Sequence, residues 1–136
     1  MGLNKQFLAT TGISEMWDLS SENILFLGPW CLLDRENRKL VKDRHYSVVS
    51  SPWLFPGKIK DAAEYTQHIY NETLPVISER LNQLHGVSYP NQYWQILLGP
   101  WLLHFIEVLY ERYSRIQNAL DLFPNFYTHV LPDKIC

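Results

Sequence analysis

The turn Gly28-Pro29-Trp30-Cys31 is where residue types and spacing come nearest to a binding site. It follows the apolar run Ile24-Leu25-Phe26-Leu27 and precedes Leu32-Leu33. It therefore reads as a strand running into the first turn of a helix, with Pro29 at the first helical position. Unpaired N–H groups at a helix start can hold an anion. Ligands of open α/β sheets gather at the carboxyl ends of strands. A helix start also lowers the pKa of a thiol such as Cys31; a buried, inert cysteine is the alternative. Neither a G-x-G-x-x-G motif nor a P-loop accompanies the turn, so a plainly packed β–α turn is the competing reading.

A basic segment lies next to it. Between Arg35 and Lys60 there are seven basic residues against the acidic pair Glu36 and Asp43, a local balance of +5. Arg35, Arg38 and Arg44 are near enough in sequence to bring guanidinium charge to a diphosphate; a solvated basic face is the alternative. Trp30, Trp53 and Trp101 each follow a proline. Trp30 or Trp53 can stack on a ring, or serve as a core anchor. The candidate substrate-binding set is thus Gly28, Trp30, Cys31, Arg35, Arg38, Arg44 and Trp53.

Other constellations are weaker. His104, Glu107, Glu111 and Arg115 fall on one side of a helix, and His-x-x-Glu is a device of di-metal bundles. No matching carboxylates are identifiable, so a solvated face with a Glu111–Arg115 ion pair is expected. Asn71-Glu72-Thr73 has the glycosylation pattern but falls within a helical period. The sequence assigns no catalytic group, metal set or cofactor.

The elements that must position these residues change character along the chain. Gln6–Thr11 is an apolar run closed by Gly12, Ile24–Leu27 is continuously apolar, and His45–Ser50 is a third strand candidate. The continuous run at Ile24–Leu27 predicts a central strand covered on both faces. Ser14 is expected to cap a short turn through Trp17, and Asp34–Arg44 reads as a polar connection. Ser51–Gly57 reads as a loop with an aromatic anchor.

The second half is helical. Ala63, Tyr70, Leu74, Ile77, Leu81 and Leu84 form one stripe at 100° per residue, with Pro75 and Asn82 opposite and Gly86 as a left-handed cap. Ser88 and Pro90 suit the start of the next helix. There Leu102, Ile106, Leu109, Tyr113, Ile116 and Leu120 form a second stripe, widened by Phe105 and Tyr110. Gly99-Pro100 is expected to bend or split that helix. Leu27-Gly28-Pro29-Trp30 and Leu98-Gly99-Pro100-Trp101 echo each other, which predicts one device used twice: a break, then a helix start anchored by Trp. Asn125–Cys136 shows no period.

Composition narrows the function classes. The chain has 136 residues, 46% hydrophobic and 19% charged, which suits one globular domain with a core of its own. Its net charge of −2 argues against a nucleic-acid partner, since that affinity is mostly cationic. The apolar stretch Trp94–Tyr110 is broken by Gln95, His104 and Glu107, so no membrane span is expected. Leu3-Asn4-Lys5-Gln6 is too polar for a signal peptide, and Gln6 stands where a myristoylation motif wants Ser or Thr. Cys31 and Cys136 alone make neither a disulfide framework nor a zinc set. A reduced, cytoplasmic protein is the expectation.

The order of several motifs carries a resemblance. Phe7-Leu8-Ala9-Thr10-Thr11, Met16-Trp17-Asp18, Ile24 through Leu33, Pro52-Trp53, His85-Gly86-Val87, Tyr93 through Leu103 and Val108 through Tyr113 resemble the N-terminal region of a family of bacterial transferases. That family is associated with surface-polysaccharide and lipopolysaccharide O-antigen biosynthesis. The likeness covers about Phe7 to Leu120. It implies a nucleotide-sugar-type donor. Because members are several times longer, it also implies that this chain is the N-terminal part of a longer, glycosyltransferase-like protein, whose remainder would be a partner. The alternative is a non-catalytic interaction module whose helical pair docks a partner or the rest of a longer chain. The expected fold is α/β: a small parallel sheet of three strands, flanking helices and a long, kinked helical pair. One domain is expected over 1–136, strand-rich over 1–57, helical over 58–124, with an irregular tail over 125–136.

Overall fold

The computed structural model describes residues 5–123 and 125–130. The chain divides into two compact units: Met1–Ser51 with Arg115–Cys136, and Pro52–Ser114.

The first unit is built on four parallel strands, β1 (Gln6–Ala9), β2 (Asn23–Phe26), β3 (His45–Val48) and β4 (Phe126–Tyr127). Their spatial order is β3-β2-β1-β4, with Phe7 paired to Ile24 and to Tyr127, and Asn23 to His45. The sheet is parallel as expected but has four strands rather than three. The strand that pattern reading missed, β4, lies in the stretch expected to be irregular. Two residues cannot display a period, and Phe126-Tyr127 is a strand because β1 offers it a free edge. Residues 131–136 of that tail, Cys136 among them, fall outside the described residues.

Ile24, Leu25, Phe26 and Leu27 are each no more than 2% exposed, so β2 is the doubly covered inner strand its composition predicts. Alternation sorts the side chains into two clusters. Phe7, Ala9, Ile24 and Phe26 join Trp17, Cys31 and Val41 on one face. Leu8, Leu25 and Leu27 join Val49 and Ala119 on the other. Each fully buried Leu, Ile or Phe contributes about 1.5–3 kcal/mol. The edge strand β3 is exposed along its length.

The connections differ from expectation. Ser14 begins a 3-10 turn over Ser14–Met16 and does not cap it; the capping position is Ile13. Pro29 starts a four-residue 3-10 turn, Pro29–Leu32, where an α-helix was expected. Asp34 then accepts from the Glu36 N–H and caps a short helix, α1 (Arg35–Leu40), inside the stretch read as a polar connection. Its six residues are too few to show a stripe.

The second unit holds α2 (Pro56–His85) and most of α3 (Asn91–Leu122). α2 begins at Pro56, a helical first position, and ends at Gly86 with φ of 65°, the left-handed cap the sequence predicts. Pro75 is exposed within it. Its buried positions are Thr66, Tyr70, Leu74 and Ser78. Ala63 and Leu84, expected in the stripe, are exposed. Thr66 and Ser78 tolerate burial because their hydroxyls donate to the carbonyls of Ala62 and Leu74, 2.9 and 2.7 Å away. Asn82, expected to face solvent, accepts from the Trp94 indole N–H and the Tyr89 N–H and donates to the Tyr89 carbonyl. It thereby fixes the α2–α3 turn. Tyr70, Leu74 and Leu102 form this unit's core.

α3 runs unbroken through Gly99-Pro100, so the expected split does not occur and the echo with Gly28-Pro29 is not one device used twice. Pro100 removes one donor and is exposed, while Gly99 is buried. A Cβ on Gly99 would stand 2.6 Å from the Tyr70 hydroxyl, so the glycine serves close packing rather than a break. Further along, the expected stripe fails: Leu109, Tyr113 and Leu120 are more than half exposed, while Arg115 and Ala119 are buried. Among the described residues no helix is long and apolar enough to cross a membrane.

Candidate functional site

In the first unit the chain passes from β1 to β2 and β3 on one side of β1, then returns to place β4 on the other. Such a reversal is the topological switch point of an open parallel sheet, and ligands bind outside the carboxyl ends of strands there. The carboxyl edge of this sheet carries Thr10–Gly12 after β1, Leu27–Trp30 after β2, Val49 after β3 and Thr128–His129 after β4.

That edge is tightly cross-tied. The Trp30 indole N–H donates to the Thr10 carbonyl at 3.3 Å and the Trp17 indole N–H to the Thr11 carbonyl at 2.7 Å. Buried Asn37 donates to the carbonyls of Gly12 and Cys31 at 2.7 and 3.0 Å. Thr128 donates to the Leu8 carbonyl, and His129 Nδ1, which must carry its proton to do so, donates to the Met16 carbonyl. Outside β1 and β4, Met16 and Trp17 leave a hollow of only about 10 Å³.

The sequence-predicted residues take distinct places. Gly28 is buried at the end of β2, and a Cβ there would stand 1.9 Å from the Trp30 ring. Glycine is thus required by the indole lying across it. The Cys31 thiol is fully buried and donates to the Ala9 carbonyl at 3.6 Å. The expected helix N-terminus is absent here: the Cys31 N–H is taken by the Gly28 carbonyl within the 3-10 turn. Arg38 donates to the carbonyls of Leu32 and Leu33 at 2.9 and 2.6 Å, tying α1 to the end of that turn. Arg35 begins α1 and is exposed. Arg44 precedes β3 and donates to the Leu19 carbonyl at 2.6 Å. It therefore stands at the amino edge of the sheet, away from Gly28. Trp53 belongs to the second unit, where it stacks on Tyr110 with ring centroids 5.7 Å apart.

Sequence reading missed the most unusual group on this edge. Arg115 is 6% exposed, donates to the Val49 carbonyl at 2.7 Å and lies with its guanidinium carbon 5.0 Å over the Trp30 ring. Pattern reading placed it on a solvated face, whereas it is buried; Glu111 pairs with Arg112 at 2.6 Å. The available signal was small Ala119 one turn on from Arg115, a position that permits close approach to a sheet.

A second polar knot ties β4 to the β1–β2 connection. Asp18 accepts from the Ser20 hydroxyl and N–H and from the Tyr127 hydroxyl. The Ser20 hydroxyl first, then Tyr127, lower its pKa to about 2. The same hydrogen bond to Asp18 raises Tyr127. Among the described residues no three His, Cys, Asp or Glu side chains come together as a metal set.

A family model described as LIC12162 family transferase matches residues 6–136. No curated protein and no solved structure matches the chain.

Proposed function

The chain belongs to the LIC12162 family of transferases, and from that premise we propose that it is the N-terminal region of a glycosyltransferase-like enzyme of bacterial surface-polysaccharide biosynthesis, acting in the cytoplasm. In this reading its sheet contributes to binding an activated sugar-type donor. The observation that carries the reading is the guanidinium of Arg115, buried at the carboxyl edge over Trp30. A cation held on the ligand-binding edge of a parallel sheet suits a diphosphate. Arg38 and Arg35 add charge from α1, and the Gly28–Cys31 turn forms the floor. The motif likeness set out above supports the choice of a sugar-type donor and of a longer enzyme.

The test is titration of nucleoside diphosphate sugars into the natural protein. Loss of Arg38 or Arg115 should weaken donor binding by about 10- to 150-fold, as for a charge-assisted hydrogen bond. Arg44→Ala, at the amino edge, should leave it unchanged. Equal affinity in wild type, Arg35→Ala, Arg38→Ala and Arg115→Lys would remove the donor from this edge.

A second reading, an interaction module, is favoured by the α3 side chains Ile96, Leu97 and Trp101, each more than half exposed. Wild-type enzyme that binds no donor would favour it.

A further inference from the structure

The second unit contains a cavity that the donor reading does not use. It measures about 190 Å³ and is lined by Trp53, Ile59, Ala63, Thr66, Glu107 and Tyr110 among others. Pockets for drug-sized ligands run to about 300–1,000 Å³, so this one suits a single small head group. Two of its walls are aromatic. Trp53 and Tyr110 stack at 30° between ring planes, and Tyr65 backs Tyr110 at 4.8 Å. Their mutual contacts hold these rings in place, so ordering them on binding costs little.

Glu107 is the single ionisable carboxylate or cation in that lining. Among the described residues it has neither an ion-pair nor a hydrogen-bond partner, unlike its neighbours Glu111 and Arg112. The Thr66 hydroxyl already donates to the Ala62 carbonyl at 2.9 Å, so it has no proton to offer a ligand. The wall therefore combines aromatic faces, aliphatic surface and one negative charge.

We propose that this cavity binds a compact organic cation: an ammonium group, primary or methylated, carried on a short aliphatic body. Aromatic faces attract such cations through their quadrupoles and pack against their methyl or methylene groups. Glu107 supplies the counter-charge. An anionic ligand meets repulsion from Glu107. A neutral sugar gains nothing from the charge of Glu107 and meets few hydrogen-bonding groups among Ile59, Ala62 and Ala63. The site is independent of the donor reading, since none of the carboxyl-edge residues takes part.

The experiment is titration of the natural protein with choline, ethanolamine and tetramethylammonium, followed by calorimetry and by Trp fluorescence. The uncharged choline isostere 3,3-dimethylbutan-1-ol and glucose serve as controls. Saturable binding of an ammonium probe with a change in indole emission is expected, with the isostere about tenfold weaker or more. Glu107→Gln, at an exposed position and so without a folding penalty, should reduce affinity for the cation to that of the isostere. Trp53→Leu should abolish both binding and the emission change. Equal binding of choline and its isostere overturns the proposal. So does preference for glucose, or failure of every ammonium probe to bind.

Discussion

The hydroxyl of Tyr70 lies 2.6 Å from the point where a Cβ on Gly99 would stand. Tyr70 is 7% exposed in the core of the second unit, so its ring cannot swing aside freely. A mid-helix glycine is ordinarily about 0.5–1 kcal/mol worse than alanine, and here close packing outweighs that preference. Gly99→Ala is therefore expected to destabilise the wild type by about 1–3 kcal/mol, the usual cost of overpacking. In a Tyr70→Phe background the same change should be neutral or stabilising. Urea unfolding of the four proteins of this cycle measures the coupling. Additive effects would show that the Tyr70 hydroxyl does not set the requirement for glycine.

Gly28 has the corresponding relation to Trp30, whose ring occupies the place of its Cβ at 1.9 Å. Gly28→Ala should force the indole off Thr10 and out from under Arg115, at a cost of about 1–3 kcal/mol. A lower unfolding midpoint, with a changed near-ultraviolet circular dichroism spectrum, is expected. An unchanged spectrum would contradict this account of Gly28.

These two glycines show where sequence could be read and where it could not. The apolar run Ile24–Leu27 declared a covered strand because each of its side chains had to be buried on one face or the other. Gly86 declared a helix end because a left-handed residue favours glycine. By contrast, Gly28-Pro29 and Gly99-Pro100 look alike in sequence and do different things, since the reason for each glycine is an aromatic ring brought by the fold. β4 was invisible because its pairing comes from β1, more than a hundred residues away. Of the candidate site, the turn after β2 and the charge on α1 were legible. Arg115 was not, because an arginine within an amphipathic helix reads as solvated until Val49 and Trp30 are seen beside it.

The Asp18–Tyr127 hydrogen bond, 2.6 Å long, makes a pH prediction. Folding lowers Asp18 from the ordinary 3.8 to about 2, so the folded chain keeps its carboxylate at acidity where the unfolded chain has lost it. The stabilisation is complete above the unfolded value and disappears as pH falls from there through about 2. Tyr127 is shifted upward from 10.0. Its contribution is complete below 10.0 and fades as pH climbs through the raised folded value. Tyr127→Phe should move the Asp18 titration, followed by carboxyl carbon NMR, toward the ordinary value. Ser20→Ala should move it further, because the Ser20 hydroxyl is the larger cause. A wild-type Asp18 that titrates near 3.8 would refute this ordering.

Arg115 separates packing from charge. Arg115→Met keeps much of the aliphatic stem but leaves the Val49 carbonyl without its 2.7 Å donor. An unsatisfied buried carbonyl costs about 1–3 kcal/mol. Arg115→Lys keeps a cation and a donor but gives up the planar stack over Trp30, an interaction of about 0.5–2 kcal/mol. Wild type, then Lys, then Met is the expected order of urea midpoints. The opposite order is physically possible, because replacing a buried charge with well-packed apolar volume can stabilise a protein. Were Arg115→Met more stable than wild type, the guanidinium would be a liability to the fold. Its place over Trp30 would then have to be explained by binding alone. In either case donor affinity should fall in both variants, and most in Arg115→Met. A fall in stability with donor affinity intact in Arg115→Met would assign Arg115 to the sheet and not to the donor.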